Sequence, residues 1–114
     1  MIISLLNQKG GVGKSSLARA LAVEFLRNGW RLHVADLDRT QQTFFKWAER
    51  REEKGVKPSI EVALYAEPKV ALRSISNADV VIVDGKAFAD KHALEIAQNS
   101  DLVIIPVGFS IDDL

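Results

Sequence analysis

The chain has 114 residues, 47% of them hydrophobic and 26% charged, which suffices for one globular domain with a real core and is too short for two. Fifteen basic and 15 acidic side chains cancel to a net charge of zero. With no Lys/Arg block, nothing draws the whole chain toward nucleic acid or anionic lipid. The lack of cysteine rules out disulfides, thiolate zinc sites and Cys-ligated iron–sulfur clusters, and fits a reducing compartment.

No apolar run approaches the roughly 18 residues that a membrane span requires. Met1 opens directly onto Ile2-Ile3-Ser4-Leu5-Leu6, without the basic start and small-residue cleavage site of a signal peptide. The sequence reads as cytoplasmic, with no membrane partner.

In chain order, the apolar run Ile2 to Leu6 ahead of a Gly-rich stretch predicts a strand buried on both faces. Ser15 to Asn28 follows a helical period: Ala18, Leu21, Ala22 and Phe25 share one face, and Gly29 is its stop. Leu32 to Leu37 is a second strand. Thr40 to Lys54 reads as a helix with Phe44, Trp47, Ala48 and Arg51 on one face. Ile60 to Tyr65 is a third strand, and Pro68 to Ile75 a short helix with proline in its first turn. Val80 to Val83 is a fully apolar strand, Lys91 to Gln98 a helix, and Leu102 to Val107 a fifth strand. Alternating strands and helices imply right-handed βαβ units. The expected fold is α/β, a parallel sheet with helices on both faces, within a single domain over residues 1–114. Its ligand site belongs at the carboxyl ends of the strands, where the chemically suggestive residues fall.

The first of these motifs is Gln8-Lys9-Gly10-Gly11-Val12-Gly13-Lys14-Ser15-Ser16, between the first strand and first helix. Its three glycines let successive N–H groups curl around an anion, at a helix N-terminus that favours negative charge. Lys14 can reach the β- and γ-phosphates of a nucleotide, and the Ser15 hydroxyl can ligate Mg²⁺. The general pattern places glycine where this chain has Gln8, and a second lysine, Lys9, stands directly before the glycines.

K-G-G-V-G-K-S with a leading lysine resembles the deviant phosphate loop (deviant Walker A) of the ParA/MinD ATPases, bacterial P-loop NTPases that sort plasmids, chromosomes and division-site markers. The resemblance covers the whole chain and implies ATP/ADP and Mg²⁺ as ligands. It assigns nucleotide contacts to Lys9, Gly10, Gly11, Val12, Gly13, Lys14, Ser15 and Ser16. It also implies a homodimer formed on ATP binding, with Lys9 crossing to the partner's phosphates, a DNA-binding adaptor protein as partner, and non-specific DNA bound mostly through regions beyond this chain.

Val34-Ala35-Asp36-Leu37-Asp38 closes the second strand with two acids two residues apart, a spacing that puts both on one strand face. By the resemblance, Asp38 positions or activates the attacking water and Asp36 holds water on Mg²⁺. Arg39 and Thr40 stand where the family often has proline and glutamine. The bland reading is a pair of acids capping the next helix. Val80-Val81-Ile82-Val83-Asp84-Gly85 has the Walker B shape and would deliver Asp84 to the Mg²⁺ site. Lys86-Ala87-Phe88 departs from the small and proline residues usual after it. The expected site is thus Lys9, Lys14 and Asp38 for catalysis, with Ser15, Asp36 and Asp84 around the metal.

Leu102 to Val107 resembles the family strand ending in I-P-V. Trp47 with Arg50-Arg51 resembles the W-x-x-R stretch of plasmid-type partition ATPases, although an indole packed into the core is the plainer reading. His33 and His92 have no partners at metal-ligand spacing and read as a strand residue and a surface helix residue. Ser110-Ile111-Asp112-Asp113 has the form of a capping box with only Leu114 after it, so the chain reads as truncated after the fifth strand, the alternative being a naturally short protein that ends in a frayed turn. The leading function is a slowly hydrolysing, ParA-like partition ATPase. Two other readings stay open: a ligase-type relative of the cobyrinate-amidation or dethiobiotin-synthesis class, and a nucleotide-binding module that does not hydrolyse.

Overall fold

The structure, a computed structural model, describes residues 1–7, 14–38, 42–73, 77–87 and 92–106. Nine elements alternate along it: β1 Ile2–Asn7, α1 Lys14–Arg27, β2 Leu32–Asp36, α2 Thr43–Glu53, β3 Val62–Leu64, α3 Pro68–Arg73, β4 Val80–Ala87, α4 His92–Gln98 and β5 Leu102–Ile104. The strands form one parallel sheet in the order β3-β2-β4-β1-β5. All nine predicted elements are present. No helix among the described residues is long and apolar enough to cross a membrane.

Strand alternation divides the apolar side chains into two cores. Ile3, Leu5, Leu32, Val34, Val80 and Ile82 pack with Ala18 and Ala22 of α1 and Phe44 of α2. Leu6, Ala35, Leu37, Val81 and Val83 pack with Ala71 of α3 and Ala93 and Ile96 of α4. Helices α1 and α2 therefore cover one face, and α3 and α4 the other. The strand order explains the switch. From β1 to β2 to β3 the chain moves one way across the sheet, and from β3 to β4 to β5 it moves back. With crossovers of one hand, reversing direction puts the connecting helix on the opposite face.

The predicted α1 face is the one used, since Ala18 and Ala22 are buried and Leu21 and Phe25 pack beside them. The helix ends at Gly29, whose φ of 83° suits a residue without Cβ. Gly29 N–H donates to the Leu26 carbonyl at 3.1 Å and Trp30 N–H to the Phe25 carbonyl at 3.1 Å, the two bonds of a Schellman cap. The accompanying apolar contact is aromatic, with Trp30 edge-on to Phe25 at 5.7 Å between ring centroids. Gly55, at φ 69°, ends α2 in the same way, with Val56 N–H on the Arg51 carbonyl at 2.9 Å.

Several boundaries differ from the sequence expectation. Helix α2 starts at Thr43, because Gln42 sits in the left-handed region at φ 52° and cannot extend the helix toward Thr40. The third strand contracts to Val62–Leu64 and the fifth to Leu102–Ile104; Pro106, lacking an N–H, cannot prolong a ladder as donor. Strand β4 runs four residues past Val83. Leu5 pairs with Asp84 and Asn7 with Ala87, so two steps of β1 span three of β4 and the pairing resumes beyond a bulge.

Gly85 lies at that bulge, in close contact with β1. A Cβ there would stand 2.6 Å from Leu6 Cδ2 and 3.3 Å from the Leu5 carbonyl oxygen, and the backbone oxygen has little freedom to yield. Gly85→Ala is therefore expected to destabilise the fold by about 1–3 kcal/mol through overpacking. Urea unfolding of the two proteins checks this, and an unchanged midpoint would contradict the tight approach.

Candidate functional site

The strand registers align one residue from each strand in a single row across the sheet: Leu64, Asp36, Asp84, Leu5 and Ile104. Leu5 and Ile104 belong to the core beneath α1 and α2, so the whole row points to that face. The next row back is Val62, Val34, Ile82, Ile3 and Leu102, all apolar. Two carboxylates thus replace apolar side chains at the centre of the row nearest the carboxyl ends. Asp36 is 0% exposed and Asp84 2%.

Such a pair is electrostatically costly. Burial pushes the Asp36 carboxyl above the ordinary aspartate range, and repulsion from Asp84 and Asp38 adds to the effect. The backbone N–H groups of Asp38 and Phe45 pull the other way. Asp38 N–H donates to Asp36 Oδ1 at 2.9 Å, and Phe45 N–H to Asp36 Oδ2 at 3.2 Å. Phe45 is in the first turn of α2, so Asp36 fills the capping role that Gln42 does not perform with its side chain. The plain reading of this acid as a helix cap is therefore part of its structure.

Asp38 lies two residues beyond the end of β2. The strand ends at Asp36, and the Asx-type bond from Asp38 N–H turns the chain aside. Leu37 N–H still reaches the Asp84 carbonyl at 3.0 Å, and the Asp38 carbonyl accepts Gln42 N–H at 2.8 Å. Asp38 is half-buried beside the two buried acids.

The expected phosphate loop falls between the end of β1 and the start of α1. Lys9, Gly10, Gly11, Val12 and Gly13 lie outside the described residues, as do Phe88 and the Ser110-to-Asp113 motif. Lys14 and Ser15 form the first turn of α1, with Ser16 exposed after them. Two features of the surroundings bear on the geometry. Leu5, next in the row to Asp84, lies two residues before the end of β1, so the acids sit where that loop departs. Strand β4 also exits toward α4 on one face while both its neighbours exit toward α1 and α2 on the other. In open parallel sheets, ligands bind at the carboxyl ends beside such a divergence. Paired hard-oxygen donors in this place fit a hard divalent cation such as Mg²⁺ better than a soft metal.

Trp47 packs against the core and meets Phe44 edge-on at 5.3 Å, as the plainer reading of the W-x-x-R stretch has it. Its ring also receives two guanidinium groups, Arg19 of α1 at 5.1 Å and Arg51 at 5.0 Å from the centroid, which ties α1 to α2. Arg19 was not legible in the sequence; the helix cap was, as the plain reading of the acid pair, but its partner N–H on Phe45 was not. His33 bonds Glu61 at 3.2 Å and Tyr65 at 3.0 Å across the β2–β3 edge, and His92 opens α4. Among the described residues no cluster of three or more His, Asp or Glu forms a metal site.

A family model described as ATPase MipZ matches residues 1–114. Among solved structures, the ParA family ATPase from Chlorobium tepidum TLS is similar with a TM-score of 0.60 and 16% identity, over 91% of this chain and 58% of that one. At such identity the likeness speaks for the fold, which is that of a ParA-type P-loop NTPase. This chain spans little more than half the length of that neighbour. No curated protein matches.

The acidic pair generates a stability prediction. A raised Asp36 pKa means that protonation favours the folded state: the gain is full below the unfolded value of about 3.9 and is lost as pH rises through the folded one. Removing the neighbouring charge with Asp84→Asn should relieve the strain. At pH 7, without divalent cations, the variant is expected to equal or exceed wild type by about 1 kcal/mol in urea unfolding. A clear loss of stability would show that the Asp84 charge is compensated in the fold.

Proposed function

The chain belongs to the MipZ ATPase family, of ParA/MinD-like P-loop ATPases, and from that premise we propose that it binds ATP with Mg²⁺ and hydrolyses it slowly. The observation that carries this reading is the buried Asp36–Asp84 pair, beside the strand that leads through the Gly-rich residues into α1. Residues 9–16 cradle the phosphates, with Lys14 as their counter-charge. Ser15 and Asp84 hold the Mg²⁺, which neutralises phosphate charge when bound. Asp38 orients the attacking water. Catalysis in this reading is positioning and charge stabilisation.

Lys9 acts between subunits. Lys14 and the loop amides already serve the phosphates of their own chain, and a second cation on the same loop repels the first. Directed at the γ-phosphate of a facing protomer, Lys9 makes ATP the adhesive of a dimer, because ADP offers nothing for it to reach. In the cell, such a protein would act in plasmid or chromosome segregation from the cytoplasm, with a DNA-binding adaptor as partner and non-specific DNA as track.

Two experiments on the full-length protein test this. Lys14→Ala should weaken ATP binding on the order of 10- to 100-fold in calorimetry, through loss of charge-assisted bonds to the phosphates; equal affinities would sink the phosphate-loop assignment. Lys9→Ala should keep near-normal ADP affinity yet lose both ATP-dependent dimerisation and most hydrolysis. Sedimentation with a slowly hydrolysed ATP analogue decides, since a variant that dimerises like wild type has no trans lysine.

A further inference from the structure

We infer that Asp36 is a positioning residue that fixes Asp38 in place. The inference rests on the ATPase reading, in which Asp38 acts on the attacking water, but its geometry stands independently.

The Asp36 carboxylate has two oxygens, and each accepts one backbone N–H: Oδ1 from Asp38 at 2.9 Å, Oδ2 from Phe45 at 3.2 Å. One fully buried side chain therefore grips both ends of the segment that leaves β2 and enters α2. Its own backbone is fixed in the sheet, where Tyr65 N–H donates to the Asp36 carbonyl at 3.0 Å. The segment is fastened again by Leu37 N–H on the Asp84 carbonyl and Gln42 N–H on the Asp38 carbonyl. Gln42 supplies no side-chain cap, so the orphan N–H of Phe45 turns to Asp36.

These bonds aim the carboxylate at the turn and at the helix start. An anion held by two backbone donors is oriented before any ligand arrives, and it stabilises the α2 N-terminus through the helix dipole. The Asp36 charge is thus spent on holding the residue two places on, at the distance from the sheet that the Asx-type bond dictates.

Amide hydrogen exchange followed by NMR, without nucleotide, reads the grip directly. In Asp36→Ala, Asp38 and Phe45 should lose protection while amides of β1 and β4 keep theirs; unchanged exchange at both positions would overturn the proposal. Steady-state kinetics reads the role. Asp36→Asn should lower kcat toward the Asp38→Ala level, with the half-saturating Mg²⁺ concentration within about twofold of wild type, and adding it to Asp38→Ala should cost little more. A rise of about tenfold or more in that Mg²⁺ requirement, or fully additive losses, would make Asp36 a metal ligand instead. Phe45→Pro removes one donor from a first-turn position that tolerates proline, leaves the carboxylate untouched, and should reproduce the kcat loss if the Asp36 variants fold poorly. Should Asp38→Ala hydrolyse ATP normally, the catalytic reading of Asp38 fails, and the exchange result still decides whether Asp36 holds the segment.

Discussion

The centre of this sheet has no wet side. Strand β4 runs between β1 and β2, and its residues from Val80 to Gly85 are all buried, beneath α1 on one face and α4 on the other. A parallel sheet covered on both faces must be apolar nearly throughout, and this one is. Any polar group placed there pays for desolvation unless the backbone or a ligand meets it. Most of the fold's features are answers to that constraint. Ser4, fully buried in β1, shares a hydrogen bond with Ser100, which in turn donates to the Ile96 carbonyl. Asp36 is met by two backbone N–H groups.

The same dryness shapes the electrostatics of the carboxyl ends. Burial raises the Asp36 carboxyl above the ordinary range, and repulsion from Asp84 adds to it. In the proposed ATPase this strain is relieved when a cation and phosphates arrive together, so ligand binding repays what folding left unsettled. The helices around the site are fastened firmly. Each of α1 and α2 ends in a Schellman cap, and Trp47, with a guanidinium from each helix on its ring, joins them midway.

Sequence legibility followed physical locality. Every element was visible, because apolar runs and helical periods are set by neighbours within one turn or one pleat. The acids of the site were visible because strand ends mark themselves. What escaped depends on contacts distant in sequence. The extension of β4 past Val83 requires Asn7 of β1 to pair again beyond the bulge. The late start of α2 follows from the left-handed Gln42 and a cap nine residues before Phe45.

One consequence of the strand registers concerns parity. Even-numbered residues of β2, and of β4 as far as Asp84, point toward α1, odd-numbered ones toward α4, and both acids are even. An insertion or deletion of one residue within either strand would therefore carry its acid through the sheet to the opposite side, and the pair would cease to exist. A change of two would keep the side and merely shift the acid by one row. Ahead of the acids, a single-residue length change thus keeps the pair only where a bulge absorbs it, as one does between β1 and β4 just past Asp84.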